Sequence, residues 1–131
     1  MKNIHPDAPH LQLGRRGEEA ACQFLKKQGY KILARNFRCP LGEIDVVAMK
    51  QERLHFIEIK TRSQARFGNP EESVGREKQD KIIRIAQWYL KQFSQQARSM
   101  SFDVAAVSFL EDKNASIKFI EGAFSAGEGH F

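Results

Sequence analysis

The sequence predicts a single α/β domain built on a mixed sheet, and three observations carry that reading. Two segments with helical apolar spacing bracket a run of three strand-like segments, two more strand-like segments follow the second helix, and 131 residues is a one-domain length. The expected order is α-β-β-β-α-β-β. Residues 1–12, with Pro6 and Pro9, read as a flexible N-terminal arm, residues 13–124 as the domain, and residues 125–131 as a C-terminal tail.

The first helix is expected over residues 14–28. Ala21, Phe24, Leu25 and Gln28 follow the three-to-four spacing, and Gly29 supplies the stop. Glu18 lies three, four and seven residues before Ala21, Cys22 and Leu25, so it shares their inward stripe, an unusual place for a carboxylate. A purely electrostatic preference for the helix N-terminus also explains it. Tyr30 to Phe37, Glu43 to Met49 and Leu54 to Lys60 then alternate as strands. Lys50-Gln51-Glu52-Arg53 lacks the Asn-Gly chemistry of a two-residue turn, so a four-residue hairpin connection is expected. Residues 61–77 hold Gly68, Pro70 and Gly75 and no sustained period, which reads as a long surface loop. Ile82, Ala86, Tyr89, Leu90 and Phe93 form the apolar stripe of a second helix over residues 78–97, with Lys78 at its start on the same inward side. Phe102 to Leu110 and Ser116 to Ile120 complete the strands.

Composition narrows the function classes. Hydrophobic residues make up 41% of the chain and charged residues 28%, which argues against disorder. No apolar run reaches the roughly 18–20 residues of a membrane span, and no signal peptide is recognisable, so a cytoplasmic protein with no membrane partner is expected. Cys22 and Cys39 do not make a disulfide framework, and Cys22 reads as a small apolar packing residue. The net charge of +5 resides in residues 1–40, which hold eight Lys and Arg against three Asp and Glu. A basic surface beside a slightly acidic middle suits a protein that attracts phosphates and holds a cation.

Strand alternation places Glu43, Asp45 and Val47 on one face, and Phe56, Glu58 and Lys60 on one face. An even connection centred on Gln51 and Glu52 sets Asp45 opposite Glu58 and Glu43 opposite Lys60. Like charges opposite each other destabilise a sheet, and paired carboxylates need a proton or a cation to relieve them. Asp45, Glu58 and Lys60 therefore suggest a site for a hard cation such as Mg²⁺. The same residues also fit a salt-bridged strand surface worth at most about 1 kcal/mol, with Glu43 matched by Lys60. His5, His10, His55 and His130 are scattered and give no zinc spacing, and no glycine-rich phosphate loop or serine or cysteine nucleophile pairing is present.

Asp45 followed by Glu58-Ile59-Lys60 resembles the D…ExK signature of the PD-(D/E)xK, or restriction-endonuclease-like, nuclease superfamily. Gly14-Arg15-Arg16-Gly17-Glu18, Gly29-Tyr30, Arg35-Asn36-Phe37, Gly42-Glu43-Ile44-Asp45, Phe56-Ile57-Glu58-Ile59-Lys60-Thr61-Arg62 and Phe102-Asp103-Val104 together resemble the YraN-like family of uncharacterised bacterial proteins, over residues 13–124. That family is in turn similar to archaeal Holliday-junction resolvases. Ile44 stands where the superfamily's name places proline, and Ser101 stands where the family pattern typically carries arginine.

The resemblance implies a restriction-endonuclease-like fold with an α-β-β-β-α-β core and a mixed central sheet flanked by helices. It implies an endonuclease dependent on Mg²⁺ or Mn²⁺ that hydrolyses DNA, with branched or structured DNA as the expected substrate and a homodimer as the expected assembly. Asp45 and Glu58 would ligate the metal, with the Ile59 carbonyl as a further oxygen, and Glu18 would reach it directly or through water. Lys60 would orient or deprotonate the attacking water. Read from the residues themselves, Arg15, Arg16, Arg62, Arg66 and Lys78 are candidate phosphate contacts, and Phe67 is a candidate to stack on a base or wedge into a junction, with anchoring of its loop the favoured role. The rival expectation is a nucleic-acid-binding module that keeps the fold but needs a partner or has no catalysis.

Overall fold

The computed structural model describes residues 9–62, 74–93, 99–110 and 114–126. Its elements are α1 (Pro9–Lys27), β1 (Lys31–Cys39), β2 (Gly42–Lys50), β3 (Arg53–Arg62), α2 (Arg76–Phe93), β4 (Ser99–Phe109) and β5 (Ala115–Phe124), in the expected order. They form a mixed α/β architecture with one five-stranded sheet of order β1-β2-β3-β4-β5. Pairing is antiparallel except between β3 and β4, which run parallel because α2 carries the chain back between them.

Helix α1 starts at Pro9, inside the stretch expected to be a loose arm. Proline has no N–H to lose and a φ already fixed near helical values, so it suits a first helical position. The far end closes as expected at Gly29, whose φ of +94° accompanies bonds from Gly29 N–H to Lys26 O (3.1 Å) and from Tyr30 N–H to Leu25 O (2.9 Å). These satisfy carbonyls that the helix end leaves orphaned.

The hairpin between β2 and β3 departs from expectation in its turn. Lys50 pairs with Arg53, so only Gln51 and Glu52 connect the strands, both with positive φ (51° and 65°). Such left-handed pairs give the twist that adjoining strands need, at some steric cost in non-glycine residues. The expected register is present nonetheless, with Val46 opposite Ile57 and Val47 opposite Phe56. A two-residue and a four-residue loop centred on the same residues give the same pairing.

Alternation along β3 separates two cores. Leu54 and Phe56 join Ile44, Val47, Phe102 and Val104 beneath Ile82, Ile83, Ile85, Ala86 and Tyr89 of α2. Ile57 joins Val46, Ala48, Ala105 and Val107 beneath Ala21, Cys22 and Leu25 of α1. The buried face of α2 is wider than the expected stripe, since Ile83 and Ile85 are also enclosed while Phe93 is exposed. Phe93 still meets Phe37 and Tyr89, with ring centroids 6.0 and 4.8 Å away.

Where α1 crosses β3 the approach is very close. A Cβ added at Gly17 would overlap the side chain of Thr61, whose branched Cβ leaves it little room to turn. Gly17→Ala is expected to destabilise the protein by about 1–3 kcal/mol in chemical denaturation. Combining it with Thr61→Ala should recover part of that loss.

Candidate metal and phosphate site

The ladder between β2 and β3 is paired from Lys50↔Arg53 up to Val46↔Ile57, where its recorded pairs end. Asp45 and Glu58 are the next residues on the two strands. At the same level β1 is irregular: Arg35 pairs with Val46 and Phe37 with Ile44, while Asn36 between them has a φ of +51°. Val46 belongs to the α1 core and Ile44 to the α2 core, so simple alternation breaks at Asp45. The shared face expected for Glu43, Asp45 and Val47 does not survive this break.

Asp45 fills the place of a lost ladder partner. Its Oδ2 accepts the Ile59 N–H at 2.7 Å. Burial pushes its carboxyl up to about 7, with the Glu58 charge adding to the rise and the Ile59 N–H and Lys78 opposing it. Glu58 is buried and forms an ion pair with Lys78 from the first turn of α2. Lys78, expected on the inward side of its helix, is exposed along its side chain but reaches this patch through the salt bridge to Glu58. Lys60 is half-buried beside them. Burial, followed by the Lys78 charge, holds its ammonium below the usual lysine range, against the pull of Glu58. Burial would lower Lys78 too, but its hydrogen bond and ion pair with Glu58 raise it overall.

On the α1 side, a groove of about 420 Å³ is lined by Gly14, Arg15 and Glu18 of α1, Asn36 and Arg38 of β1, and Glu43 and Asp45 of β2. Glu18 thus faces Asp45 across a groove. Its own contact is with Asn36, whose Nδ2 donates to Oε1 at 3.3 Å. Among the described residues no three His, Cys, Asp or Glu side chains converge closely enough to hold a metal ion. Asp45 and Glu58 nevertheless have the chemistry a hard divalent cation takes: a carboxyl pair forced together under burial, one oxygen of Asp45 fixed by Ile59, and Glu18 facing the same groove.

Glu43 is matched by a different cation from the one expected. Arg38 lies directly across from it on β1 and reaches it at 3.4 Å, because β3 no longer pairs with β2 at this level. Of the expected phosphate contacts, Arg15 lines the groove, and Arg62 ends β3 just beyond Lys60. Arg16 instead lies 4.2 Å above the ring of Phe109, an apolar anchorage. Arg66 and Phe67 lie outside the described residues. Trp88 packs half-buried against Phe37, as a core residue would. Asn36 and Arg38 went unrecognised in the sequence. The available signal was asparagine in a strand, where it is depleted, at a position able to adopt the left-handed conformation.

The described helices include none long and apolar enough to cross a membrane. Residues 17–107 match the Uncharacterised protein family UPF0102. A UPF0102 protein of Desulfosudis oleivorans is 44% identical over 115 residues, covering 88% of this chain and 91% of the relative. Similar proteins of Moorella thermoacetica and Syntrophotalea carbinolica are each 46% identical, over 112 and 114 residues, covering 85% and 87% of this chain and 93% and 92% of theirs. On the strength of that match across most of its length, the chain belongs to the UPF0102, or YraN-like, family.

Proposed function

We propose that this protein is a divalent-metal-dependent endonuclease of restriction-endonuclease-like fold that hydrolyses DNA phosphodiester bonds, with branched or structured DNA as its substrate class. The observation that carries the reading is the carboxyl pair of half-buried Asp45 and buried Glu58, placed where β2 and β3 part and bordered by Lys60 and Lys78. Asp45 and Glu58 would hold Mg²⁺ or Mn²⁺ directly, and Glu18 through a water. The bound cation would lower the pKa of a coordinated water and neutralise charge on the scissile phosphate.

The chain's own groups divide the remaining work. Lys60, with its proton held less firmly, orients the attacking water and takes part in its deprotonation. Lys78 keeps its charge and exchanges its bond with Glu58 for a phosphate oxygen once Glu58 has another cation to serve. Arg15 on the groove wall and Arg62 beyond Lys60 position the backbone of the nucleic acid without reading its sequence.

One observation favours a second reading, a nucleic-acid-binding module without catalysis. Lys78 already satisfies Glu58, so the pair does not depend on metal for its compensation. The two readings separate on a labelled panel of linear duplex, single strand, flap and four-way junction DNA in Mg²⁺ or Mn²⁺. An endonuclease cuts at least one member, loses that activity in Asp45→Ala, and slows by about 10²–10⁴-fold in Lys60→Met. Metal-independent binding with no cutting of any member supports the module.

Stability supplies an independent test. The Asp45 carboxyl titrates near 7 when folded against an ordinary 3.8, so its favourable contribution is complete below about pH 4 and lost as pH rises through 7. In a chelator, Asp45→Asn should therefore become more stable than the parent between pH 4 and pH 8, by a few kcal/mol at most. Adding Mn²⁺ at pH 8 should raise the melting temperature of the parent and leave that of the variant unchanged. An equal rise in both would place the metal elsewhere.

A further inference from the structure

The opposite end of the β2–β3 hairpin holds a second like-charge pair, this time cationic. Lys50 and Arg53 face each other across the two-residue turn. Direct opposition of like charges costs a sheet free energy unless something of opposite sign lies between or beside them. Arg53 is served on one side, with Glu121 at 3.2 Å and the Ser99 hydroxyl at 3.0 Å. Lys50 has its ammonium 4.8 Å from the centroid of the Tyr30 ring, a softer compensation.

These side chains border a cavity of about 380 Å³ that lies past the C-terminal end of α1, where the helix stops at Gly29 and no longer covers the sheet. His55, 2% exposed, contributes to its lining. Its Nδ1 lies 2.6 Å from Oδ2 of Asp103, which is fully buried. The other Asp103 oxygen accepts the Ser101 hydroxyl at 2.5 Å and the Gly122 N–H at 2.9 Å. Asp103 is therefore surrounded by donors, which makes Nδ1–H the third of them and leaves Nε2 as the ring nitrogen free for the cavity. The Ser101 hydroxyl points to the carboxylate and not to the imidazole, so the three residues do not form a nucleophile and base. They hold a histidine in place.

The cavity is bordered by two cations, the Lys50 ammonium and the Arg53 guanidinium, and by the neutral polar groups of Tyr30, Gln51, Ser99 and His55. Tyr30 stays a neutral donor, since burial, with Glu121 and Asp103 nearby, pushes it up to about 12. Glu121 is the one carboxylate in the lining, and Arg53 engages it. Two cations at the rim over a buried, oriented histidine are complementary to a tetrahedral anion.

We propose that this cavity is a binding site for the phosphate group of a small phosphomonoester, gripped by Lys50 and Arg53 at the rim, with the oriented His55 ring at the floor. Asp103 fixes the ring by holding Nδ1–H, which leaves Nε2 directed to the bound group. The volume exceeds what a bare phosphate fills, leaving room for the body of the ester against Tyr30. The site is separate from the carboxylate pair and does not depend on a nuclease activity.

The test uses the full chain with inorganic phosphate and phenyl phosphate as probes, sulfate as the general-anion control, and chelator present throughout. Binding is followed by titration calorimetry and by the NMR signals of the histidine rings. Saturating probe should shift the His55 ring signals, with phenyl phosphate binding more tightly than inorganic phosphate. Lys50→Gln, a change on the rim that leaves the buried cluster alone, should weaken binding by about tenfold. His55→Gln should weaken it at least as much, and Lys60→Met, at the other end of β3, should leave it unchanged. Unmoved His55 signals, or binding that falls in Lys60→Met and not in Lys50→Gln, would overturn the proposal. So would sulfate binding as tightly as both probes, the behaviour of an adventitious anion only.

Discussion

The placing of half-buried Asp45 beside buried Glu58 is the constraint around which the rest of this fold is arranged. Two carboxyl groups on adjacent strands repel, and burial makes the repulsion worse by removing water that would screen it. The sheet accommodates them by ending its ladder one residue earlier, at Val46 and Ile57. That leaves the Ile59 N–H without a strand carbonyl, and Asp45 accepts it. The parting also changes the neighbouring strand, because Asn36 turns to a positive φ at the same level and thereby reaches Glu18. The end of the β2–β3 ladder thus opens beside a groove with acidic and basic walls.

Such a site can be tolerated because the apolar layers on either side are continuous. Ile44 and Val46 flank Asp45 in sequence yet are fully buried in opposite cores, and Phe56 and Ile57 do the same just before Glu58. Burial of side chains of this size stabilises by roughly 1.5–3 kcal/mol each, enough to hold charged groups where they would not settle alone. The lysines then share the compensation unequally. Glu58 takes Lys78, and Lys60 is left with a displaced proton affinity between a carboxylate and a second ammonium. Displaced proton affinities of this kind are common where a protein does chemistry, though ion-pair networks also produce them.

The parts that were legible in the sequence are those set by local rules. Apolar period two and period three-to-four located every element, and Gly29 marked the end of α1 because only a left-handed closure satisfies its last carbonyls. The β2–β3 register was legible because the polar stretch between the strands has one centre, whichever even loop length is chosen. The start of α1 at Pro9 and the tight turn at Gln51 and Glu52 were not, since proline reads equally as a loop residue and as a first helical residue, and Gln51 and Glu52 take positive φ without the residues that favour it. The partner of Glu43 was missed for a deeper reason. Alternation extrapolates a ladder indefinitely, while the real ladder ends where two carboxylates meet, so Arg38 on the other neighbour is the residue in reach. The carboxylate pair itself could be read, but its third side, Asn36 holding Glu18, could not, because it depends on a backbone irregularity in β1. The His55–Asp103–Ser101 cluster joins strands 48 residues apart in sequence, beyond the reach of any spacing rule.

Strand β3 places both sites in the molecule while keeping them energetically separate. Glu58 and Lys60 face α2 and meet its first turn, whereas His55 faces the α1 side with Tyr30. His55 and Glu58 are three steps apart along the strand, about 10 Å at the usual rise, and the apolar Phe56 and Ile57 lie between them. Residues at such a distance with no shared partner contribute additively to within a few tenths of a kcal/mol. Removing charge at one end therefore leaves the other end's hydrogen bonds and field nearly intact. A defect that appears at both ends must then come from β3 itself, through slippage of its parallel register with β4, which pairs all ten of its residues.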